Sequence, residues 1–203
     1  SFVLKSSNTS KSRGVFLLKN ARQRLKLPQI ISRSPSLQNL RYVLERIRTG
    51  NRPLHISNHR QKFILQPYIS GLQGDYRVVA YADKFYVLYR SNRRNDFRAS
   101  GSMLFNYNID LPEGLLDYAK QVFESFNASF IALDIGVKDK TFFLFEFQFL
   151  SFGQYTLEKS KFYYFLNNGV WQKKFEEPDL EREIALSVSK FISRHNTKTL
   201  CVE

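Results

Sequence analysis

Two carboxylates and an amide stand inside one of the most apolar stretches of this chain, FIALDIGVKDKTFFLFEFQFL at 130–150. Burying such groups without partners is expensive, so Asp134, Glu146 and Gln148 call for a ligand or for ion partners. Strand alternation puts Leu144, Glu146 and Gln148 on one face, and Phe143, Phe145, Phe147 and Phe149 on the other, read as core. With Lys138, Asp139 and Lys140 as a three-residue loop, Asp134 lies opposite Leu144. Asp134 and Glu146 are then diagonal neighbours, about 7–8 Å apart at Cβ. A two-residue loop would place the two carboxylates on opposite faces. Two carboxylates and an amide oxygen suit Mg²⁺, a hard cation that shares oxygen ligands with substrate phosphates. The same pattern also reads as a solvated sheet face with basic partners.

Other chemistry-bearing residues lie upstream. Lys5 ends an apolar strand, and the loop after it is rich in Ser, Thr and Asn, with Gly14 near its end. Backbone N–H and hydroxyl groups of such a loop can wrap an anion beside a fixed lysine charge. It has no Walker A spacing and a strand follows it. Asp75 and Arg77 begin a strand, Arg90 ends the next, and Arg98 sits in the loop beyond. Arg77 and Arg90 are candidates for forked contacts to phosphate, or for surface ion pairs. His55 and His59 read as surface histidines without a third ligand. Cys201 is the only cysteine, which excludes an internal disulfide and a thiolate zinc site.

The elements that must position these groups follow from periodicity. Strands are expected at 2–5, 15–18 and 62–69, and as a pair over 77–83 and 84–90, with the carboxylate hairpin at 130–150. Helices are expected over 36–48, 113–127 and 179–194, and the basic segment 20–34 reads as irregular. The predicted class is α+β. The chain is 203 residues long and 43% hydrophobic, with 19 Phe and 11 Tyr, so a substantial core is expected. Its net charge of +13 favours an anionic partner, whether nucleotide, phosphorylated substrate, acidic peptide or nucleic acid. No apolar run reaches the length of a membrane span. From its strand-like start without Met, the chain is expected to be a piece of a longer protein.

In order and spacing these parts resemble the ATP-grasp superfamily, most closely its ribosomal-protein glutamate ligases and glutathione synthetase-like carboxylate–amine ligases. The residues that carry the resemblance are VLKSSNTSKSRGV (3–15), LQPYISGLQGDYRVVAYADKFYVLYR (65–90), NDFRAS (95–100), ALDIG (132–136) and LFEFQ (144–148). They correspond to the family's lysine strand and phosphate loop, adenine hinge, phosphate-contacting arginine strands and paired metal strands, over about 150 residues.

That resemblance implies an ATP-grasp fold of two α+β subdomains, at 1–65 and 66–203, with antiparallel sheets and flanking helices. The family's N-terminal substrate domain would precede residue 1. Lys5, Ser12 and Gly14 would hold the nucleotide's phosphates, Gln66 and the backbone of Tyr68 and Ile69 its adenine, and Asp75 the ribose side. Arg77, Arg90 and Arg98 would be the charge-stabilising catalytic groups, and Asp134, Glu146 and Gln148 would hold Mg²⁺, replaceable by Mn²⁺. The implied activity is ATP-dependent activation of a carboxylate as acylphosphate, followed by attack of an amine, with peptides or amino acids as substrates. A cytoplasmic setting is expected from ATP use and low cysteine content, and no membrane association from the lack of a long apolar run. The chain departs from the family at Gln148, where Asn is usual, and at Ala99-Ser100, where Ser-Asn is usual. It also has Phe149 to Gly153 in place of Ser-Pro-Gly. An ATP-grasp kinase of a polyanion, and a basic nucleic-acid or anion-binding module using 22–26 and 91–98, are the alternatives.

Overall fold

Three short apolar strands, β1 (Phe2–Ser6), β2 (Val15–Leu18) and β3 (Phe63–Pro67), pair antiparallel in the order β2-β1-β3. The computed structural model describes residues 1–6, 14–32, 44, 47, 48, 50, 62–150 and 152–199. The chain divides into two compact units, Ser1–Ser70 and Gly71–Glu203. Pairing with β1 keeps β3 whole in the first unit, so the division falls beyond the expected 65/66 boundary. Leu4 and Leu18 are fully buried there, with Val3 nearly so.

The first unit also holds helix α1 (Ala21–Ser32), where the sequence reading expected irregular chain. Its start is fixed by two reciprocal bonds. The Gln23 N–H donates to Asn20 Oδ1 at 2.9 Å, and the Lys19 N–H donates to Gln23 Oε1 at 2.8 Å. The first satisfies an N–H group that a helix start leaves without a partner, and the second ties the residue before the cap to the first turn. Pro28 lies inside the helix without ending it. The helix expected at 36–48 lies almost wholly outside the described residues, as do Ser12, His55, His59 and Cys201.

The second unit is α+β, built on a seven-stranded antiparallel sheet. Its strands are β4 (Gly74–Tyr81), β5 (Lys84–Ser91), β6 (Phe105–Asn106), β7 (Phe130–Lys138), β8 (Thr141–Gln148), β9 (Phe162–Asn167) and β10 (Val170–Phe175). The order is β10-β9-β5-β4-β7-β8, with β6 beside the far end of β5. β4 and β5 turn through Ala82 and Asp83, one residue earlier than expected, and Ala82 takes a positive φ of 50°. β9 and β10, absent from the sequence reading, turn through Asn168-Gly169, both in the left-handed region that a two-residue hairpin turn requires.

Strand alternation sorts the sheet's side chains onto two faces. On one, Val78, Ala80, Ile131, Leu133 and Ile135 pack with Leu115, Leu116, Ala119 and Phe123 of α2 (Leu115–Phe126). On the other, Val79, Tyr81, Tyr86 and Ala132 pack with Phe152, with Leu157 of α3 (Tyr155–Glu158) and with Leu180 and Ile184 of α4 (Leu180–Thr199). Buried Glu183 fastens α4 through Lys84 Nζ at 2.5 Å, and Lys84 also reaches Glu176 at 3.0 Å. Burial alone would pull the Lys84 ammonium down, but these carboxylates outweigh it and hold the group above its ordinary value. Among the described residues no helix is long and apolar enough to cross a membrane.

Candidate functional site

The hairpin that carries the two carboxylates has a two-residue turn, which corrects the expected loop of three. Lys138 pairs with Thr141, and Asp139 and Lys140 both take positive φ, at 49° and 60°. By simple parity this would send Asp134 and Glu146 to opposite faces. A bulge between Asp134 and Ile135 restores them to one: Ile135 pairs with Leu144, but Asp134 pairs with Glu146. Phe145 is the extra residue, and its ring lies where a Cβ on Gly136 would sit, 2.4 Å away. The two carboxylates are therefore directly opposed rather than diagonal, with Cβ atoms about 5 Å apart by strand geometry.

The bulge also corrects the expected faces of β8. Leu144 packs into the α2-side core beside Ile135, while Glu146 and Gln148 point to the other side. The phenylalanines form no common core: Phe147 and Phe149 are exposed and meet Phe126 at ring-centroid distances of 4.4 and 5.5 Å.

The same face gathers charges from the neighbouring strands. Register places Arg77 opposite Asp134, and Asp75 opposite Arg90. Arg90 is 1% exposed. Its Nε and Nη2 donate to the two oxygens of Asp75 at 2.7 and 2.8 Å, and Nη2 also lies 2.8 Å from Asp134 Oδ2. Arg77 Nη1 lies 3.8 Å from Asp134 Oδ1, and its Nη2 donates to Gln148 Oε1 at 2.9 Å. Gln148 in turn donates from Nε2 to Oε1 of exposed Glu146 at 2.7 Å. Two aspartates and two arginines thus neutralise one another below the surface, and a third carboxylate stands at the rim.

Tyr155 forms the wall of this cluster, and the sequence reading missed it. Its hydroxyl accepts from Arg77 Nη1 at 3.4 Å, and its ring lies 5.7 Å beneath the guanidinium. Phe105 of β6 stacks on that ring at 5.0 Å and 5°, and the Tyr107 hydroxyl donates to the Tyr155 carbonyl at 3.0 Å. Gly153 makes room, since a Cβ there would meet the Tyr155 ring at 2.4 Å. The Phe-Gly step just before a short helix was the available signal.

Three buried atoms in the cluster make no hydrogen bond: Asp134 Oδ1, Arg77 Nε and Arg90 Nη1. Asp134 Oδ1 and the opposed Glu146 fit a hard cation whose other positions are water and phosphate oxygens. Gln148 fits less directly, because its carbonyl oxygen already serves Arg77. Among the described residues no three His, Cys, Asp or Glu side chains gather as a metal cage.

Other predicted site residues fall elsewhere. Arg98 closes on Asp96, two residues away, through Nε and Nη2 at 2.9 and 2.7 Å. Lys5, on β1, and Gln66, on β3, share a face of the first unit's sheet, since Gln66 pairs with Val3. The Tyr68 N–H donates to the Ser1 carbonyl at 3.2 Å, Ile69 is half-buried, and Gly14 accepts from the Ser6 N–H at 3.0 Å.

Burial pushes the Asp75 carboxyl up to about 6 from 3.8, against the pull of Arg90. The folded chain therefore holds a proton that the unfolded chain has released over this range. Asp75's contribution is complete below about pH 4 and is lost as pH rises through 6. About 3 kcal/mol is at stake, at 1.36 kcal/mol per unit. Urea midpoints across pH 4–7 should fall more steeply in the wild type than in Asp75→Asn, and equal slopes would refute the shift.

No protein-family model matches this sequence, and comparison with curated proteins finds no relative.

Proposed function

We propose that this chain belongs to an ADP-forming carboxylate–amine ligase of ATP-grasp type, with the charge cluster of the second unit handling the magnesium and polyphosphate end of ATP. The observation that carries this reading is the convergence of Arg77, Arg90, Asp134, Glu146 and Gln148 from four adjacent strands on one sheet face. Carboxylates beside fixed guanidiniums suit phosphoryl transfer, where positioning and charge neutralisation supply most of the catalysis. Asp134 and Glu146 would hold Mg²⁺, which when bound draws charge from the phosphates. Arg77, held by Gln148 and Tyr155, presents a guanidinium at the rim of the cluster. Arg90 is sealed and keeps Asp75 and Asp134 in place, a positioning role. Lys5, Ser12, Gly14, Gln66, Tyr68 and Ile69 are assigned to the nucleotide by resemblance alone.

Saturating Mg-ATP is expected to raise the melting temperature by roughly 5–11 °C at about 100 times Kd. Glu146→Gln, an exposed and isosteric change, should remove that shift without lowering the starting value. No shift in the wild type overturns the reading. ADP with free phosphate, formed only with an amine acceptor, supports a ligase, whereas ADP without free phosphate makes the protein a kinase. Exposed Arg22, Arg24 and Lys26 on α1 favour a second reading, an anion or nucleic-acid surface. Salt-sensitive RNA binding with no response to ATP would select it.

A further inference from the structure

We infer that Arg77 acts as a gate on the carboxylate pair, so that a divalent cation enters only together with a polyphosphate. This rests on the proposed magnesium–nucleotide reading of the cluster.

Asp134 is 7% exposed and faces two guanidiniums, Arg90 Nη2 at 2.8 Å and Arg77 Nη1 at 3.8 Å. With Asp75, these groups sum to zero charge. A divalent cation placed between Asp134 and Glu146 would sit within a few ångströms of Arg77 and lose much of its attraction to Asp134. Arg90 cannot turn away, because both its bonded nitrogens are fixed on carboxylates and it is 1% exposed. Arg77 can. Its contact to Asp134 is long, its Nε makes no hydrogen bond, and its remaining partners are a neutral amide and a phenol.

A polyphosphate reaching Arg77 gives that guanidinium a stronger partner and leaves Asp134 Oδ1 to the cation. Each ligand thereby improves the site for the other, and the coupling is reciprocal. Gln148 fits the same device. Its carbonyl holds Arg77 and its amide holds Glu146, so with the gate shut both carboxylates are engaged.

Manganese alone is the probe, followed on the full chain by loss of the free aquo-ion's EPR signal without nucleotide. Arg77→Gln should bind it about tenfold or more tightly than the wild type, by the charge it removes. Arg77→Lys, which keeps the charge, should resemble the wild type, with near-ultraviolet circular dichroism reporting the fold of both. In the wild type, ultrafiltration should retain manganese with the protein when tripolyphosphate is present and not when it is absent. That comparison decides the matter if Arg77→Gln fails to fold. The gate is overturned if Arg77→Gln binds manganese no better than the wild type, or if the wild type retains it equally without tripolyphosphate. Stabilisation by Mg-ATP alongside either result removes the gate and leaves the nucleotide reading standing. Manganese uptake by Arg77→Gln while the wild type shows no response to Mg-ATP does the reverse.

Discussion

Arg90→Met is expected to destabilise the protein by about 3–5 kcal/mol, because it strands the buried carboxylates of Asp75 and Asp134. In a chain of this length that lowers the melting temperature by roughly 6–20 °C. The cost is not the worth of the ion pairs. It is the penalty of leaving buried charge short of a partner, since both aspartates are only 7% exposed and Asp134 would keep only its 3.8 Å contact to Arg77. The distinction is testable within the same series. Asp75→Leu added to Arg90→Met removes one stranded carboxylate, and the double variant should be more stable than the single one. Thermal melts followed by circular dichroism suffice. A loss below about 1 kcal/mol for Arg90→Met would place the pair in the class of solvated surface bridges and sink the argument.

Gly74→Ala carries the second large effect. Gly74 opens β4 opposite Ser91, and its φ lies outside the left-handed region that favours glycine. On conformational grounds alanine there should gain about 0.4–1 kcal/mol by restricting the unfolded chain. The neighbours reverse the sign. An added Cβ would lie 2.2 Å from the Arg90 carbonyl oxygen and 2.7 Å from the Tyr89 ring and hydroxyl. The first of these is backbone and cannot swing aside, so the strands must part where Asp75 meets Arg90. A loss of about 3 kcal/mol is expected from this overpacking, read as a lower denaturant midpoint. An unchanged or raised midpoint would mean that β4 and β5 separate there at no cost.

Much of the fold was legible because its central strands are continuous apolar runs, and α2 and α4 carry helical spacing. The misses have separate physical causes. The segment 20–34 looked irregular because it is basic and contains Pro28, yet Asn20 and Gln23 at cap spacing carried the helix signal. The β9–β10 hairpin was overlooked although Asn168-Gly169 between aromatic runs marks such a turn. Asp134 and Glu146 do share a face, but through compensation of two errors: the turn is one residue shorter than supposed, and Phe145 adds one back. Nothing in the alternation shows this, because Leu144 is apolar on either face. Tyr155 escaped notice because α3, at four residues, has no periodicity to read.

Phe145 gives the hairpin an unusual mutational grammar. Phe145 is the one residue of β8 without a partner on β7, so its loss would let Leu144 run straight into Glu146 with Ile135 and Asp134 still opposite them. Glu146 and Gln148 would keep their face, whereas a residue inserted between them would turn Gln148 away from Arg77. In a lineage carrying this hairpin, length should therefore be held more strictly between Glu146 and Gln148 than at Phe145. The site has a reading frame of its own, and Phe145 is the residue that frame can do without.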